Sequence, residues 1–272
     1  MKNLVLGSSG QIGKELTNYL RNQNQTVFEF DIYNSKYEDL RIHNNILLQK
    51  LLYESDFVYF LAFDVGGSTY LKKYQHTFDF IDNNIKLMAE TFTHLEKYKT
   101  PFIFASSQMS NMSFSPYGIL KAVGETYTKS LNGLIVKFWN VYGIEHDLEK
   151  THVITDFILQ AKHVHKINML TDGEEERQML YTEDCCKCLK ILSEKYNDIS
   201  RTEQLHITNF EWTKIIDIAK IISKTFNNVP IFPALTKDTV QQGYRNEPST
   251  DILKYWKAET SLEDGIKKLL MV

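Results

Sequence analysis

The stretch Gly7-Ser8-Ser9-Gly10-Gln11-Ile12-Gly13 is the strongest constraint on this chain. It follows a short apolar run, Asn3 to Leu6, and leads into the helical pattern Ile12, Leu16, Tyr19, Leu20. Strand, glycine-rich turn and helix in that order make a diphosphate site. The glycines let the backbone approach the ligand closely, and the helix N-terminus points its free N–H groups at the anion. Gly7, Gly10, Gln11, Ile12 and Gly13 are therefore the first candidate binding residues. A second strand, Thr26 to Phe30, ends in Asp31. A carboxylate there accepts hydrogen bonds from both adenosine ribose hydroxyls and repels a 2′-phosphate, which argues for NAD over NADP.

The remainder of the first half repeats the alternation. A helical stretch runs to Leu52, and Asp56 to Ala62 reads as a strand. Its continuous apolar character suits a parallel sheet buried on both faces. Ala62 ends that strand, and Gly66 and Gly67 open the next loop, where the dinucleotide is expected. From Leu71 the spacing predicts one long helix with the seam Leu71, Tyr74, Phe78, Ile81, Ile85, Met88, Phe92 and Leu95 facing the sheet. Tyr70, Phe80, Leu87 and Tyr98 lie off that seam and offer a second apolar surface, which points to a partner subunit and a homodimer. Pro101 precedes the strand Phe102 to Ala105, which delivers Ser106 and Ser107, and Leu134 to Phe138 is a further buried strand. The class is thus α/β, a right-handed doubly wound parallel sheet.

After about residue 144 the pattern loosens. Helices are expected at Val153 to Ala161, Glu183 to Lys195, and from Glu211 and Ser261, with strands near Met169 and at Gln204 to Thr208. The expected division is a dinucleotide-binding domain over residues 1–144, with returning segments near 180–208, and a smaller lobe over 145–272.

Ser115-Pro116-Tyr117-Gly118-Ile119-Leu120-Lys121-Ala122 carries the chemistry. A tyrosine and a lysine four apart lie on one side of a helix, about one turn from each other. A neighbouring cation favours the phenolate, and an oxidised nicotinamide would favour it further, so the phenol could exchange a proton at neutral pH. Such a pair is common by chance; it gains meaning from the dinucleotide site upstream.

Composition excludes several classes. Net charge is −3 with lysines and arginines scattered, so no basic face suggests nucleic acid. No apolar run approaches a membrane span, and the first residues go straight into a strand without a secretory signal, which suggests the cytoplasm. Cys185, Cys186 and Cys188 are too tightly spaced for the usual zinc clusters and read as reduced thiols on a helix, with no metal.

Together these features resemble the extended short-chain dehydrogenase/reductase family, in its NAD-dependent nucleotide-sugar epimerase/dehydratase branch. The resemblance runs from Lys2 to about Leu270. It is carried by GSSGQIG, Asp31, DNNIKLMAE, FASS, SPYGILKAVGE, KFWNVYG, DGEEERQMLYTEDCC and KAETSLEDGIKKLL. It implies a Rossmann fold with a smaller C-terminal substrate lobe, NAD as cofactor and a nucleotide-diphosphate sugar as substrate. By resemblance, Tyr117 is the proton-transfer residue, Lys121 lowers its pKa and binds the nicotinamide ribose, and Ser107 holds the reacting sugar oxygen. Asp39 and Leu40 match a pair near the adenine. Asn140 matches a residue on the substrate's phosphate side, and Arg177 and Arg245 would clamp the diphosphate.

The departures narrow the chemistry. Nucleotide-sugar 4,6-dehydratases of this branch follow the Ser/Thr with an Asp-Glu pair that eliminates water, where this chain has Gln108 and Met109, neither of which is an acid or a base. Only nine residues separate Ser107 from Tyr117, where many relatives have a longer loop. The pocket is then either more open or closed by another segment. The expected activity is epimerisation or oxidoreduction at carbon 4 of the sugar through a 4-keto intermediate. A product-releasing 4-dehydrogenase or 4-keto-sugar reductase is the alternative, and a non-catalytic NAD sensor is the reading from another class.

Overall fold

A computed structural model describes residues 1–241 and 245–271. The chain runs β1 (Lys2–Leu6), α1 (Gln11–Asn22), β2 (Thr26–Phe30), α2 (Ile46–Glu54), β3 (Phe57–Phe60), α3 (Ser68–Tyr74), α4 (Phe78–Tyr98), β4 (Phe102–Ser107), α5 (Pro116–Ser130) and β5 (Leu134–Phe138). It continues with β6 (Asn140–Tyr142), α6 (Val153–His163), β7 (Ile167–Asn168), β8 (Glu176–Tyr181), α7 (Thr182–Glu194), β9 (Leu205–Ile207), β10 (Trp212–Lys214), α8 (Ile215–Thr225), β11 (Ile231–Phe232) and α9 (Leu262–Leu270). Six strands form one parallel sheet in the order β2-β1-β3-β4-β5-β9. The order reverses beside β1, so the carboxyl ends of β1, β3 and β4 border the ligand crevice of such sheets.

The apolar runs dictate this arrangement. All four residues of β3 and all six of β4 are buried, as expected for strands covered on both faces. On one face α2, α4 and α5 contribute Leu48, Leu52, Phe92 and Leu120. On the other, α1 supplies Leu16 and Leu20 and α7 supplies Cys185, Cys186, Cys188 and Leu189. The three thiols are free, and burial pushes each of them up. Among the described residues no group of three or more His, Cys, Asp or Glu is placed to hold a metal, and no helix is long and apolar enough to cross a membrane. A third core binds α6, α8 and α9 around Phe157, Ile218 and Ile266.

Two helical expectations are corrected. The long helix from Leu71 is two helices, because the chain turns at Gln75–Thr77, where Thr77 donates to the Tyr74 carbonyl through both its N–H and its hydroxyl. Thr77 then caps α4, accepting from the Phe80 N–H at 3.3 Å. The break resets the helical phase. Phe80 and Leu87 are buried, whereas Phe78 is 77% and Ile85 47% exposed, so the seam lies on the opposite set of residues from part of the expected one. The helix expected from Glu211 starts only at Ile215, because Trp212–Lys214 pairs antiparallel with Glu176–Gln178. That β8 strand was hidden in sequence by its charged start, Glu176-Arg177.

Candidate active site at the carboxyl edge of the sheet

The glycine turn is built as its sequence demands. Gly7 has φ +87°, and a Cβ there would lie 2.6 Å from the Ala62 nitrogen. A Cβ on Gly13 would lie 2.0 Å from the Gly7 carbonyl oxygen, so that glycine lets α1 close on the turn. A cavity of about 640 Å³ runs from this turn past Asp31, Asp39, Leu40 and Ala62 to Ser107, Tyr117 and Lys121. Gly10, Gln11 and Ile12 line it as well. The Asp31 carboxylate accepts from the Ser9 N–H at 2.9 Å and the Tyr33 N–H at 3.0 Å, which fixes it at the end of β2. Burial opposes ionisation of Asp39, but hydrogen bonds and the charge of Arg41 outweigh it and hold the carboxyl below its usual range. The segment after β6 crosses this cleft: Tyr33 donates to Asp147 at 3.3 Å, Lys150 pairs with Asp64 at 3.0 Å, and the Gly67 N–H donates to the Lys150 carbonyl.

Ser115 caps α5 by accepting from the Gly118 N–H at 3.2 Å, and Pro116 occupies the first turn, where its missing N–H costs nothing. This start sets Tyr117 and Lys121 against β4. Lys121 is 3% exposed, and its ammonium donates to the Ala105 carbonyl at 2.6 Å and lies 3.7 Å from the Phe63 ring centroid. Burial pushes it down to about 7, against the opposing charge of Glu125. Tyr117 is pushed up to about 12 by burial, with a hydrogen bond to Ser107 opposing. The expected depression of the phenol is thus reversed in the protein alone. Both groups are desolvated, and the lysine's hydrogen bond goes to the backbone of β4.

The short segment after Ser107 is tightly packed. Ser107 accepts from the Met109 N–H at 3.1 Å and starts a single turn, Gln108–Asn111. A Cβ on Gly118 would lie 2.2 Å from the Met109 carbonyl, so the glycine of Tyr-Gly lets this turn dock on α5. Asn246 then covers the turn from the C-terminal part of the chain. Its amide donates to the Gln108 carbonyl and side chain at 2.5 and 2.7 Å, and accepts from Asn111 at 2.7 Å. Another segment, rather than a longer loop, packs over this turn.

A second cavity, about 510 Å³, opens between α3 and the C-terminal elements. Asn140 and Arg177 line it, with Asp238, Lys73 and His152; His152 also borders the first cavity. Asn140 donates to the Gln178 carbonyl at 3.2 Å, and Arg177 pairs with Asp238 at 2.6 Å. Arg245 is not brought to this lining. It is 46% exposed on its side chain, pairs with Glu176 at 2.5 Å and stacks 3.9 Å from the Trp212 ring centroid. The β8–β10 pairing that presents Glu176 and Trp212 on one edge explains that position.

The family model for the NAD dependent epimerase/dehydratase family matches residues 3–208. The chain belongs to that family. A protein of Methanocaldococcus jannaschii assigned as a UDP-glucose 4-epimerase is 28% identical over 165 residues, covering 57% of this chain and 52% of that protein, about half its length. The fold is similar to that of UDP-glucose 4-epimerase from Thermotoga maritima, solved with UDP-glucose, at TM-score 0.82 and 19% identity over 100% of this chain and 98% of that one. It is also similar to UDP-glucuronic acid 4-epimerase from Bacillus cereus, solved with a fluorinated UDP-sugar and NAD, at TM-score 0.81 and 23% identity over 99% and 98% of the two chains.

The cleft of this NAD-dependent epimerase/dehydratase family member fits its cofactor. Gly7 and Gly13 stand where any Cβ would collide with backbone, and the Asp31 carboxylate is fixed at the cleft wall. Asp31 should favour NADH over NADPH, because a 2′-phosphate beside its carboxylate is a like-charge contact. Fluorescence titration should give at least about tenfold tighter NADH binding, shrinking in Asp31→Ala to a few-fold. Tighter NADPH binding by the wild type would refute the assignment.

Sequence reasoning missed Phe63, Glu125, Lys150, His152, Asp238 and Asn246. Only Glu125 had a usable local signal, its position four residues beyond Lys121. The others reach the site from loops or from elements distant in sequence.

Proposed function

We propose that this protein is a nucleotide-sugar 4-epimerase that works through a 4-keto intermediate and keeps its NAD. The observation that carries this reading is the convergence of Ser107, Tyr117 and Lys121 at the end of the cofactor cleft, with uncharged, tethered Gln108 beside Ser107. Tyr117 would exchange the proton of the carbon-4 hydroxyl, and Ser107 would hold that oxygen. Bound NAD supplies the acceptor and then the donor of the carbon-4 hydride. No acid or base stands at Gln108 or Met109 to drive elimination of water. The strap from Asp147 to Lys150 across the cleft favours cofactor retention. The names of the relatives make UDP-sugars the first substrates to try.

In this reading residues 1–144, with the return through α7 and β9, hold NAD, and residues 145–272 provide most of the sugar-nucleotide site. Asn140 and Arg177 are assigned to the diphosphate. Arg245 would reach it only by leaving Glu176. The test is incubation of the NAD-loaded protein with UDP-glucose, UDP-N-acetylglucosamine and UDP-glucuronic acid. The expected result is an equilibrating pair of carbon-4 epimers without NADH build-up. NADH and keto-sugar formed in equal amounts would replace the epimerase with a 4-dehydrogenase.

A homodimer is part of the same proposal. Ile85 on α4 and Ile119, Val123 and Tyr127 on α5 are exposed apolar residues, and the stacked Phe92 and Tyr127 rings hold the two helices together. Light scattering should give twice the chain mass, and Val123→Asp should shift it to the monomer. A monomeric wild type at micromolar concentration would remove the dimer.

A further inference from the structure

Behind the Tyr117–Lys121 pair lies a polar, partly buried row that the proposed reaction does not use. Ser106, Lys137 and His206 sit in register across β4, β5 and β9. Glu125 comes down on this row from α5, one turn beyond Lys121. Its carboxylate accepts from the Ser106 hydroxyl at 2.6 Å and pairs with Lys137 at 3.2 Å. Lys121 and Glu125 therefore reach neighbouring residues of one strand, the ammonium at Ala105 and the carboxylate at Ser106.

We propose that Glu125 is a positioning residue that keeps Lys121 in its ammonium form, and so sets the pH range over which the Tyr117–Lys121 pair works.

The charge inventory around Lys121 supports this. On α5 it faces Tyr117 and Glu125; β4 presents the Ala105 carbonyl and the Phe104 ring, and the Phe63 ring covers it from the loop after β3. Beyond Glu125 stand Lys137 on β5 and His206 on β9. Burial and the charge of Lys137 push His206 down to about 4, so it is neutral, and its Nδ1 accepts from the Trp139 indole at 3.2 Å. Glu125 is thus the carboxylate that stands between buried Lys121 and half-buried Lys137. A desolvated ammonium with no counter-charge gives up its proton. Ser106 and Lys137 fix the carboxylate, and Lys137 competes with Lys121 for it.

That competition gives two predictions of opposite sign. Glu125→Gln keeps an acceptor for Ser106 and removes the charge. Lys121 should then lose its proton at least about tenfold more readily. Lys137→Met leaves Glu125 wholly to Lys121, which should hold its proton more tightly. The readout is nuclear magnetic resonance of lysine side chains labelled at the ε-carbon, titrated in the NAD-loaded, sugar-free protein, with the Lys121 signal assigned through Lys121→Met. A merely structural Glu125 would not move the two variants in opposite directions. Unchanged Lys121 titration in Glu125→Gln would overturn the proposal, and so would a shift of the same sign in both variants. If Glu125→Gln does not fold, Lys137→Met alone decides by its direction. The proposal rests on the reading of Tyr117 and Lys121 as the working pair, but this titration needs no substrate. A shifted midpoint with no epimerisation would keep the coupling and reject the reaction; on an active enzyme, the alkaline limb of the rate profile should move with the Lys121 midpoint.

Discussion

Tyr117→Phe should lose turnover by about 10²- to 10⁴-fold while keeping the fold and the bound NAD, as expected for removal of a general acid–base group. The phenol packs edge-on to Phe63 at 5.7 Å, a contact that phenylalanine repeats. What disappears is one hydrogen bond to Ser107, worth about 1 kcal/mol. Ser107 still accepts from Met109, so the turn beside it stays in place. Ser107→Ala should cost less than Tyr117→Phe, since it leaves the proton-carrying group intact. Turnover by Tyr117→Phe at the wild-type rate would place the chemistry elsewhere.

The raised Tyr117 has a consequence for the catalytic cycle. A phenol at about 12 is almost wholly protonated at neutral pH. In the protein alone Lys121 sits at about 7, so its charge is only partly available there. The proposed proton transfer would therefore need extra positive charge in the cleft, and each group that protects the ammonium would contribute to it. This ties the reactivity of Tyr117 to its surroundings more than to the Tyr-x-x-x-Lys spacing alone.

The first half of the fold was legible because its signals are local. Gly7 to Gly13, Asp31 and the apolar runs of β3 and β4 each define an element within a few residues. The phase of α4 was not legible, since it depends on a break at Gln75–Thr77 that interrupts no apolar spacing. Strand β8 was obscured because Glu176 and Arg177 find charged partners in Arg245 and Asp238, contacts between distant parts of the chain. The site followed the same rule. Ser107, Tyr117 and Lys121 could be picked out as candidates from spacing, but Asn246, packed on the turn after Ser107 from 139 residues further along the chain, could not. The surroundings that push Tyr117 up and Lys121 down come from Phe63, Phe104 and the whole of β4, and no short motif records burial.

Lys121→Met should give a protein that is inactive and more stable. The wild-type lysine is buried, and its pKa in the folded state, about 7, lies below the ordinary 10.5. The folded state therefore binds this proton less well than the unfolded state, and stability is lost as pH falls from about 10.5 to about 7 and stays lost below. That gap corresponds to a penalty of about 5 kcal/mol at about 1.4 kcal/mol for each pH unit. Methionine fills a similar volume without the charge, but gives up the Ala105 hydrogen bond and the contact with Phe63, about 2–3 kcal/mol together. The net gain should be about 2 kcal/mol in urea unfolding at pH 6, and it should shrink as pH rises from about 7 toward 10.5, where the wild-type lysine is already neutral in the folded state and the cost of stripping its proton on folding fades. Turnover should fall at least as far as in Tyr117→Phe, because the phenolate loses its protein cation, and NAD should bind more weakly. A Lys121→Met protein less stable than wild type at pH 6 would show that the buried ammonium is a net structural asset, and the cost ascribed here to holding it beside Tyr117 would be wrong.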